Sequence, residues 1–303
     1  MSFAHLHTHS EYSLLDGMSK IPALVERAAA LDMPALAVTD HGAMYGALEL
    51  YETATKAGIK PIIGLEGYVA PKSRHEKKSG EWPHHLTLLA QNEQGYRNLL
   101  KISSLSHLEG FYRRPRMDRE LLEQYNEGLI VLSGCPSGEF LSRLREGDER
   151  GATEVASWYR DIFPDRYYLE VMEHGIEEFS ALTPQIAAVG KRMNLPLVQT
   201  HDSHYVEHSH AHAHEVLLCI GTNSTMQDEK RFKLPVDQFY LKSPDEMRLL
   251  IPELPEAYTN TLVIADQVDL KLDFGRTQLP DAGVPEGMTA MEHLRDLCEE
   301  GLE

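Results

Sequence analysis

Seven short apolar segments, spaced along the first two hundred residues, most constrain what this chain can fold into. Each has the length and composition of a buried strand, and between them lie segments with apolar residues at helical spacing. Strands alternating with helices indicate a parallel α/β architecture. The predicted strands are 3–9, 35–39, 61–65, 86–90, 129–132, 167–171 and 195–199.

Polar side chains recur just past the carboxyl ends of nearly all these strands. In a (β/α) barrel these ends form one rim, where active sites lie. An open doubly wound sheet would gather only residues near one crevice. No G-x-G-x-x-G motif follows the first strand, so a dinucleotide-binding fold has no support. The pattern therefore favours a barrel with its site at the carboxyl rim.

The N-terminal stretch carries three histidines at alternate positions, His5, His7 and His9. Alternate side chains of a strand point to the same face. Two or three imidazoles on one face make a preformed half of a metal site. An H-x-H pair taken alone is more often incidental, but the chain has 16 histidines, which calls for an explanation.

Composition limits the setting in which the chain works. The formal net charge is −18, which argues against a free-standing nucleic-acid binder, because such proteins are usually basic. No apolar run reaches the roughly 18 residues of a membrane span, and the N-terminus has no export signal. Three widely spaced cysteines do not form a disulfide framework. We therefore expect a cytoplasmic protein with no membrane partner.

Nine side chains near the predicted rim can bind metal. They combine imidazole, carboxylate and one thiolate, a set that suits zinc, manganese or iron. Nine donors exceed the about four to six positions of one ion, and therefore suit two or three divalent ions with bridging carboxylates. The candidate ligands are His7, His9, Asp16, His41, Glu66, His85, Cys135, Asp202 and His204.

Such a site favours hydrolysis of a phosphate ester. Ions about 3.5–4 Å apart can hold a hydroxide and neutralise both sides of an in-line displacement at phosphorus. The expected nucleophile is a metal-bound hydroxide held by the ligand set, so no Ser-His-Asp triad is needed. A cysteine nucleophile at Cys135 would lack a dedicated base.

Each donor has a structural alternative when taken singly. Taken alone, Cys135 could be a buried small apolar residue, and Glu66 could cap a helix. Asp202 and His204 could pair with each other. All share one position in the β/α unit, which favours the joint metal site. Asp40 and His174 are expected as outer residues that orient ligands.

Two further clusters invite a functional reading. The alternating histidines of 208–214 resemble a metal tract, but a helix beginning there would scatter them, so we expect a structural role, with His214 making a hydrogen bond. Arg113, Arg114 and Arg116 form a local basic cluster in an acidic chain. Such a cluster is usually a solvated surface, and the alternative is a contact with phosphate or DNA.

The order of the nine donors, with Thr39-Asp40-His41-Gly42, resembles the PHP (polymerase and histidinol phosphatase) superfamily. The resemblance implies a distorted (β/α)7 barrel with a trinuclear metal centre at the C-terminal rim of the strands, plus a C-terminal helical extension. The segments around the donors resemble the N-terminal region of the bacterial DNA polymerase III α subunits, the C-family replicative polymerases. These segments are 11–17, 39–46, 57–64, 133–138 and 201–205.

The resemblance implies a role in DNA replication. It predicts a metal-dependent phosphodiesterase, a hydrolase of the proofreading 3′–5′ exonuclease type, acting on the 3′ end of a DNA primer-template. The expected partners are the remainder of the α subunit and a separate proofreading exonuclease subunit. Polymerase carboxylates of the family lie beyond residue 303, so this part of a DNA-directed DNA polymerase should not polymerise.

Two alternatives remain open from the sequence. The first is a non-catalytic module, stabilised by metal, which supports the polymerase core and docks a proofreading subunit. The second is an amidohydrolase, whose barrel also starts with H-x-H. Such enzymes often use a lysine after the fourth strand, where this chain has Ala90-Gln91-Asn92, so the second alternative is disfavoured.

The resemblance and the composition together predict the domain boundaries. Residues 1–272 form the PHP domain, with the barrel core at about 1–212 and the helical extension at about 213–272. Residues 273–303 form a linker, rich in Pro, Gly and Asp, and the truncated start of the polymerase region.

Overall fold

The computed structural model describes residues 2–14, 16–78, 80–275 and 282–302. These residues form seven strands: β1 (Ala35–Val38), β2 (Lys60–Val69), β3 (His84–Ala90), β4 (Arg116–Met117), β5 (Leu129–Leu132), β6 (Tyr167–Met172) and β7 (Leu197–Thr200). They also form twelve α-helices: α1 (Ile21–Ala30), α2 (Ala47–Lys56), α3 (Glu93–Leu108), α4 (Arg119–Gln124), α5 (Glu139–Arg145), α6 (Glu149–Ile162), α7 (Glu177–Ser180), α8 (Thr183–Met193), α9 (Ala211–Gly221), α10 (Pro244–Leu250), α11 (Pro255–Gln267) and α12 (Ala290–Glu300).

The strands form one sheet in the order β1-β2-β3-β5-β6-β7, with β4 paired to β2. Helices alternate with strands along the chain, which gives a distorted β/α barrel. β3 runs antiparallel to both β2 and β5, which corrects the expectation of an entirely parallel sheet. The connection from β2 to β3 has no helix among its described residues, and antiparallel neighbours need no crossover helix.

The N-terminal stretch joins the two ends of this sheet. The amide of Ala37 donates to the carbonyl of His5 at 2.8 Å, on the β1 side. On the β7 side, the amide of His9 donates to the carbonyl of Ser203 at 2.7 Å. The stretch predicted as a first strand therefore makes isolated bridges to both edges instead of a continuous ladder with one neighbour.

Apolar faces of the helices pack on the buried strands. Leu24 and Val25 of α1 and Leu50 of α2 lie in one core cluster with Leu36 of β1. Side chains cap two of these helices: Asp118 accepts from the Leu121 amide before α4, and Ser243 forms a capping box with Glu246 before α10. A capping side chain satisfies amides that have no partner within the helix.

Helices α9, α10 and α11 follow the last strand and form the C-terminal extension. The side chain of Asn260 in α11 donates to the Leu197 carbonyl at 2.7 Å, and Gln199 of β7 donates to the Met247 carbonyl of α10 at 2.9 Å. The rings of Phe3 and Tyr258 pack together in a tilted arrangement, with centroids 5.0 Å apart. These contacts attach the extension to the barrel.

The chain divides into two compact units, Met1–Leu270 and Lys271–Glu303. Within the second unit, α12 begins at a capping box made by Thr289 and Glu292. The predicted linker within 273–303 includes Arg276–Asp281, which lies outside the described residues. A search of the described helices finds none with the length and apolar character needed to cross a membrane.

Candidate metal centre

The fold brings all nine candidate ligands to one end of the barrel. Four of them follow the carboxyl end of a parallel strand, as expected: His41 after β1, Cys135 after β5, and Asp202 and His204 after β7. Glu66 lies within β2, and His7 and His9 lie in the N-terminal stretch. His85 lies at the start of β3, yet reaches the same rim because β3 is antiparallel and pairs His85 with Tyr68, near the carboxyl end of β2. Asp16 comes from the loop before α1. Side-chain contacts link the nine residues into one continuous cluster, described below.

Glu66 lies at the centre of this cluster. Its carboxylate is 1% exposed and contacts four imidazoles. Oε1 lies 2.8 Å from Nδ1 of His85 and 3.5 Å from Nε2 of His7. Oε2 lies 2.7 Å from Nδ1 of His41 and 3.3 Å from Nε2 of His9. This buried carboxylate therefore lies between four of the candidate histidine ligands.

Two aspartates complete the ring of donors. Asp16 lies 2.8 Å from Nε2 of His41 and 3.5 Å from Nε2 of His204. Oδ1 of Asp202 lies 3.0 Å from Nε2 of His9 and 3.7 Å from Nδ1 of His204. Asp202 has a φ of 46°, a left-handed conformation that aspartate tolerates better than most residues. Three carboxylates therefore alternate with imidazoles.

The thiol of Cys135 closes the cluster, with Sγ 3.4 Å from Nδ1 of His85. Burial raises the pKa of this thiol well above its usual value, and the carboxylates of Glu66 and Asp202 raise it further. A cation beside Cys135 would instead lower the pKa of the thiol, because a thiol that coordinates metal is deprotonated.

Buried atoms without hydrogen-bond partners test whether a cation fits here. Nε2 of His7 and His9, Nδ1 of His41, Oε2 of Glu66 and Oδ1 of Asp202 are buried and make no contact with hydrogen-bond geometry. Such atoms are costly and call for an explanation. In three groups, His9–His41–His204, His7–His9–Glu66 and His41–Glu66–His85, the donor atoms lie within 4.8 Å of one another. Divalent cations among these atoms would satisfy them, so the residues fit the expected ions.

The pKa values show how the cluster balances its charge. Burial alone would lower the pKa of His204, but Asp16 and Asp202 outweigh it and raise it to about 9. The pKa of His41 is also raised well above its usual value: burial lowers it, but Glu66 and Asp16 raise it by more. The protonated imidazoles in turn hold the pKa of Asp16 well below its usual value, despite its burial. The protons of these imidazoles occupy the electrostatic position that cations would take.

Glu170 in β6 is a functional candidate that the sequence reasoning missed. It is 1% exposed, and its Oε1 accepts from Nδ1 of His7 at 2.8 Å and from the Thr200 hydroxyl at 2.5 Å. Its Oε2 accepts from the Gly134 amide at 3.0 Å. A hydrogen bond at Nδ1 leaves Nε2 of His7 bare for a metal ion. The signal was a glutamate inside an otherwise apolar strand, a position where glutamate is rare.

Asp40 reaches the candidate histidine ligands through one intervening residue. The Ser13 hydroxyl lies between the Asp40 carboxylate and the His9 ring. Oδ1 of Asp40 accepts from the Ser13 hydroxyl at 2.7 Å, and Oγ of Ser13 lies 2.8 Å from Nδ1 of His9. Oγ of Ser13 also accepts from the His41 amide at 3.1 Å. The contact between Asp40 and the imidazoles is therefore relayed, and Ser13 was not anticipated.

His174 belongs to a separate buried group. Its Nε2 donates to the His201 carbonyl at 2.8 Å, and its ring stacks on His201 and Phe239. Burial lowers the pKa of His174, which keeps the ring neutral. His174 contacts the backbone of His201, the residue before Asp202. The role expected of His174 in orienting a ligand is therefore limited to holding this backbone in place.

The three arginines have different environments. Arg116 is 4% exposed, and its guanidinium donates to the carbonyls of Gly110, Glu76 and Arg74. It therefore holds the fold together, which corrects the expectation that it contacts phosphate. Arg113 and Arg114 are exposed, and Arg114 lines the cavity above the donors.

The histidines of 208–214 take the structural role expected of them. His214 is buried, and its Nε2 donates to the Asp16 carbonyl at 2.7 Å. His208 is exposed and pairs with Asp237 at 3.0 Å. They lie in a short 3₁₀ turn and the start of α9, which points them in different directions.

Comparison with known families defines the class of protein to which this fold and site belong. The PHP domain family matches residues 5–174, more than half of the chain. The chain belongs to the PHP domain family. The match includes seven of the nine candidate ligands and ends before Asp202 and His204.

The curated relatives are more specific. The chain is 43% identical over 305 residues to the DNA polymerase III subunit alpha of Borreliella burgdorferi, covering 99% of this chain and 27% of the relative. It is 40% identical over 314 residues to the protein of the same name from Thermus aquaticus, covering 100% of this chain and 26% of the relative. The chain thus spans about a quarter of the length of these relatives.

A solved structure with a similar chain course is a candidate metal-dependent phosphoesterase of Bifidobacterium adolescentis. It is 13% identical, with a TM-score of 0.43, and the match covers 83% of this chain and 96% of that chain. At this TM-score the likeness supports no conclusion about chemistry.

Proposed function

We propose that this chain is a metal-dependent phosphodiesterase of the 3′–5′ exonuclease type, which acts on the primer 3′ end during DNA replication. The observation that carries the proposal is that nine side chains able to bind metal lie in one cluster, which contains buried nitrogen and oxygen atoms without hydrogen-bond partners. Membership of the PHP family and the similarity to DNA polymerase III α subunits support it.

The nine side chains would hold two or three divalent ions, of zinc, manganese or iron. Bound ions would polarise a phosphate ester and lower the pKa of water. Glu66, Asp16 and Asp202 would supply the carboxylate ligands, because each contacts more than one imidazole. Glu170 would hold His7 in the tautomer with a bare Nε2. Arg114 would contact a substrate phosphate from the cavity wall.

The same proposal extends to the domains and partners. Residues 1–272 would form the PHP domain, and 273–303 would lead into the polymerase region of a longer α subunit. Its partners would be the primer-template 3′ end, the remainder of the α subunit and a separate proofreading exonuclease subunit, in the cytoplasm.

A nuclease assay tests the proposal. The substrate is a 5′-labelled primer with a mismatched 3′ nucleotide on a template, with Mn²⁺ or Zn²⁺ added. We expect the native chain to shorten the primer, and His9→Ala and Asp202→Ala to lower the rate by about 100-fold or more, since each removes an ion ligand. His208→Ala, an exposed histidine outside the cluster, is the matched control and should retain full activity. Equal activity in all four proteins would identify a contaminant and reject the proposal.

A second candidate function is a structural module without catalysis. The observation that favours it is that the candidate ligands come from distant parts of the chain. They range from the N-terminal stretch, which joins both ends of the sheet, to His204 in the loop after β7. Ions shared by such distant segments would cross-link the barrel and support a polymerase core. This candidate predicts that chelation lowers the unfolding temperature while the native chain shortens no primer.

A further inference from the structure

A cavity of about 510 Å³ opens above the candidate ligands. Its floor includes Asp16, His41 and Asp202. Its walls have a different character, because they are mostly aromatic and apolar. The wall residues that matter here are Tyr45, Phe232, His107 and Arg114.

Two of the wall side chains are exposed to an unusual degree for their type. Tyr45 is 61% exposed and Phe232 is 57% exposed. Large exposed side chains that line a cavity indicate a binding surface. Arg114 adds a positive charge to the same wall, in a chain whose net charge is −18.

The aromatic surface continues outside the cavity. Phe111, 52% exposed, stacks on His107 with ring centroids 6.4 Å apart and an interplanar angle of 23°. Arg113, next to Arg114, places its guanidinium 5.7 Å from the ring centre of Trp82, which is 65% exposed. Exposed aromatic rings and arginines therefore occur together, both in the cavity wall and beside it.

Exposed aromatic rings beside arginines match the chemistry of single-stranded nucleic acid, which offers unpaired bases and a charged backbone. Proteins bind single strands by stacking bases on aromatic side chains and by attracting the backbone with positive charge. A cavity of about 510 Å³ lies in the range of small-molecule sites. This volume suits a ligand about the size of one nucleotide.

We infer that the aromatic rim formed by Tyr45, Phe232, Phe111 and Trp82 binds the unpaired bases of a single-stranded DNA 3′ end, with Arg113 and Arg114 contacting its phosphates. Tyr45 and Phe232 hold the terminal base inside the cavity, and Phe111 and Trp82 hold bases further from the end. The inference rests on the proposed function, because it assumes that the terminal phosphodiester faces the candidate ligands. It makes an unpaired 3′ end the preferred substrate.

The test measures binding, with the chain loaded with Mn²⁺. Fluorescence anisotropy is recorded with 5′-labelled oligothymidines of two and eight nucleotides, whose linkages are all phosphorothioates to resist hydrolysis. We expect Tyr45→Ala and Phe232→Ala to raise the Kd about tenfold for both lengths, since one stacking contact is lost. Phe111→Ala and Trp82→Ala should raise the Kd only for the longer strand. Arg113→Ala with Arg114→Ala should reduce the salt dependence of binding.

Controls separate this surface from the fold and from catalysis. Leu249→Ala removes a 72% exposed apolar side chain of α10 and should leave the Kd unchanged. Each variant should keep the native unfolding temperature, because the rim side chains are exposed. Native Kd values for Tyr45→Ala and Phe232→Ala, or equal binding of a blunt duplex, would overturn the inference.

The primer assay distinguishes failure of the rim from failure of the proposed function. If the rim variants lose binding but the native chain shortens no primer, the exonuclease proposal fails and the rim stands. If native chain and rim variants shorten a mismatched primer equally, the exonuclease stands and the rim is rejected.

Discussion

At the scale of single residues, Glu170 shows how one buried carboxylate can control a neighbouring ligand. Its carboxylate accepts hydrogen bonds from the His7 ring, the Thr200 hydroxyl and the Gly134 amide. A glutamine there has the same shape but places an NH₂ group against a donor. The negative charge is also lost, so Nδ1 of His7 loses its strongest acceptor.

We therefore expect Glu170→Gln to weaken ion binding by about 10- to 100-fold, as outer hydrogen-bond partners of metal ligands do. It should also lower the free energy of unfolding by about 1–3 kcal/mol, the range for a buried unsatisfied group. Calorimetric titration with Mn²⁺ and urea unfolding measure the two effects. Glu177→Gln, an exposed change in α7, is the control. Unchanged ion affinity in Glu170→Gln would show that His7 needs no such support.

At the scale of elements, the start of α3 is fixed by close packing against the loop before β5. Asn92 caps the helix by accepting from the Gly95 amide. A Cβ on Gly95 would lie 1.8 Å from the carbonyl oxygen of Gly128, so only glycine fits. Gly128 has a φ of +68°, which also favours glycine. This contact sets where α3 leaves the sheet.

Gly95→Ala should destabilise the chain, although alanine normally favours a helix by about 1 kcal/mol over glycine. The clash is with backbone, which cannot move aside as a flexible side chain can, so we expect a loss of about 1–3 kcal/mol. Urea unfolding gives the value. Lys101→Ala, an exposed site in the same helix, should change stability by less than about 0.5 kcal/mol. A more stable Gly95→Ala variant would contradict the packing described here.

At the scale of the whole molecule, ion binding and proton binding compete for one site. In the ion-free chain, Asp16 and Asp202 raise the pKa of His204 to about 9 against the effect of burial. His204 is therefore largely protonated at pH 7. A metal ion needs the neutral imidazole, so it must displace this proton.

We expect ion affinity to rise with pH up to about pH 9 and to fall as the pH is lowered, by up to about tenfold per pH unit for each displaced proton. Titration calorimetry in buffers of different ionisation enthalpy, at pH 6.5, 7.5 and 8.5, measures affinity and proton release together. His208→Gln should leave this dependence unchanged, because His208 is exposed and pairs with Asp237. An affinity independent of pH would show that the ions bind elsewhere.

Much of the fold and of the cluster could be predicted from the sequence because its signals are local. Apolar runs gave six strands close to their observed bounds, and the polar residues after them indicated one rim. The antiparallel direction of β3 was missed, although the segment between the predicted strands 61–65 and 86–90 is largely polar, and a parallel crossover usually contains a helix with an apolar face. The two-residue strand β4 was too short to give a pattern.

By itself the sequence determined which side chains with metal-binding chemistry follow which strand, because composition and period are properties of neighbouring residues. Only the tertiary structure decided which of them touch, and that Glu170 and Ser13 support them while Arg116 is buried. These contacts join residues far apart in the chain; His7 and Glu170, for example, are 163 positions apart. No local pattern encodes them, since each depends on how the sheet curls and how its two ends are joined.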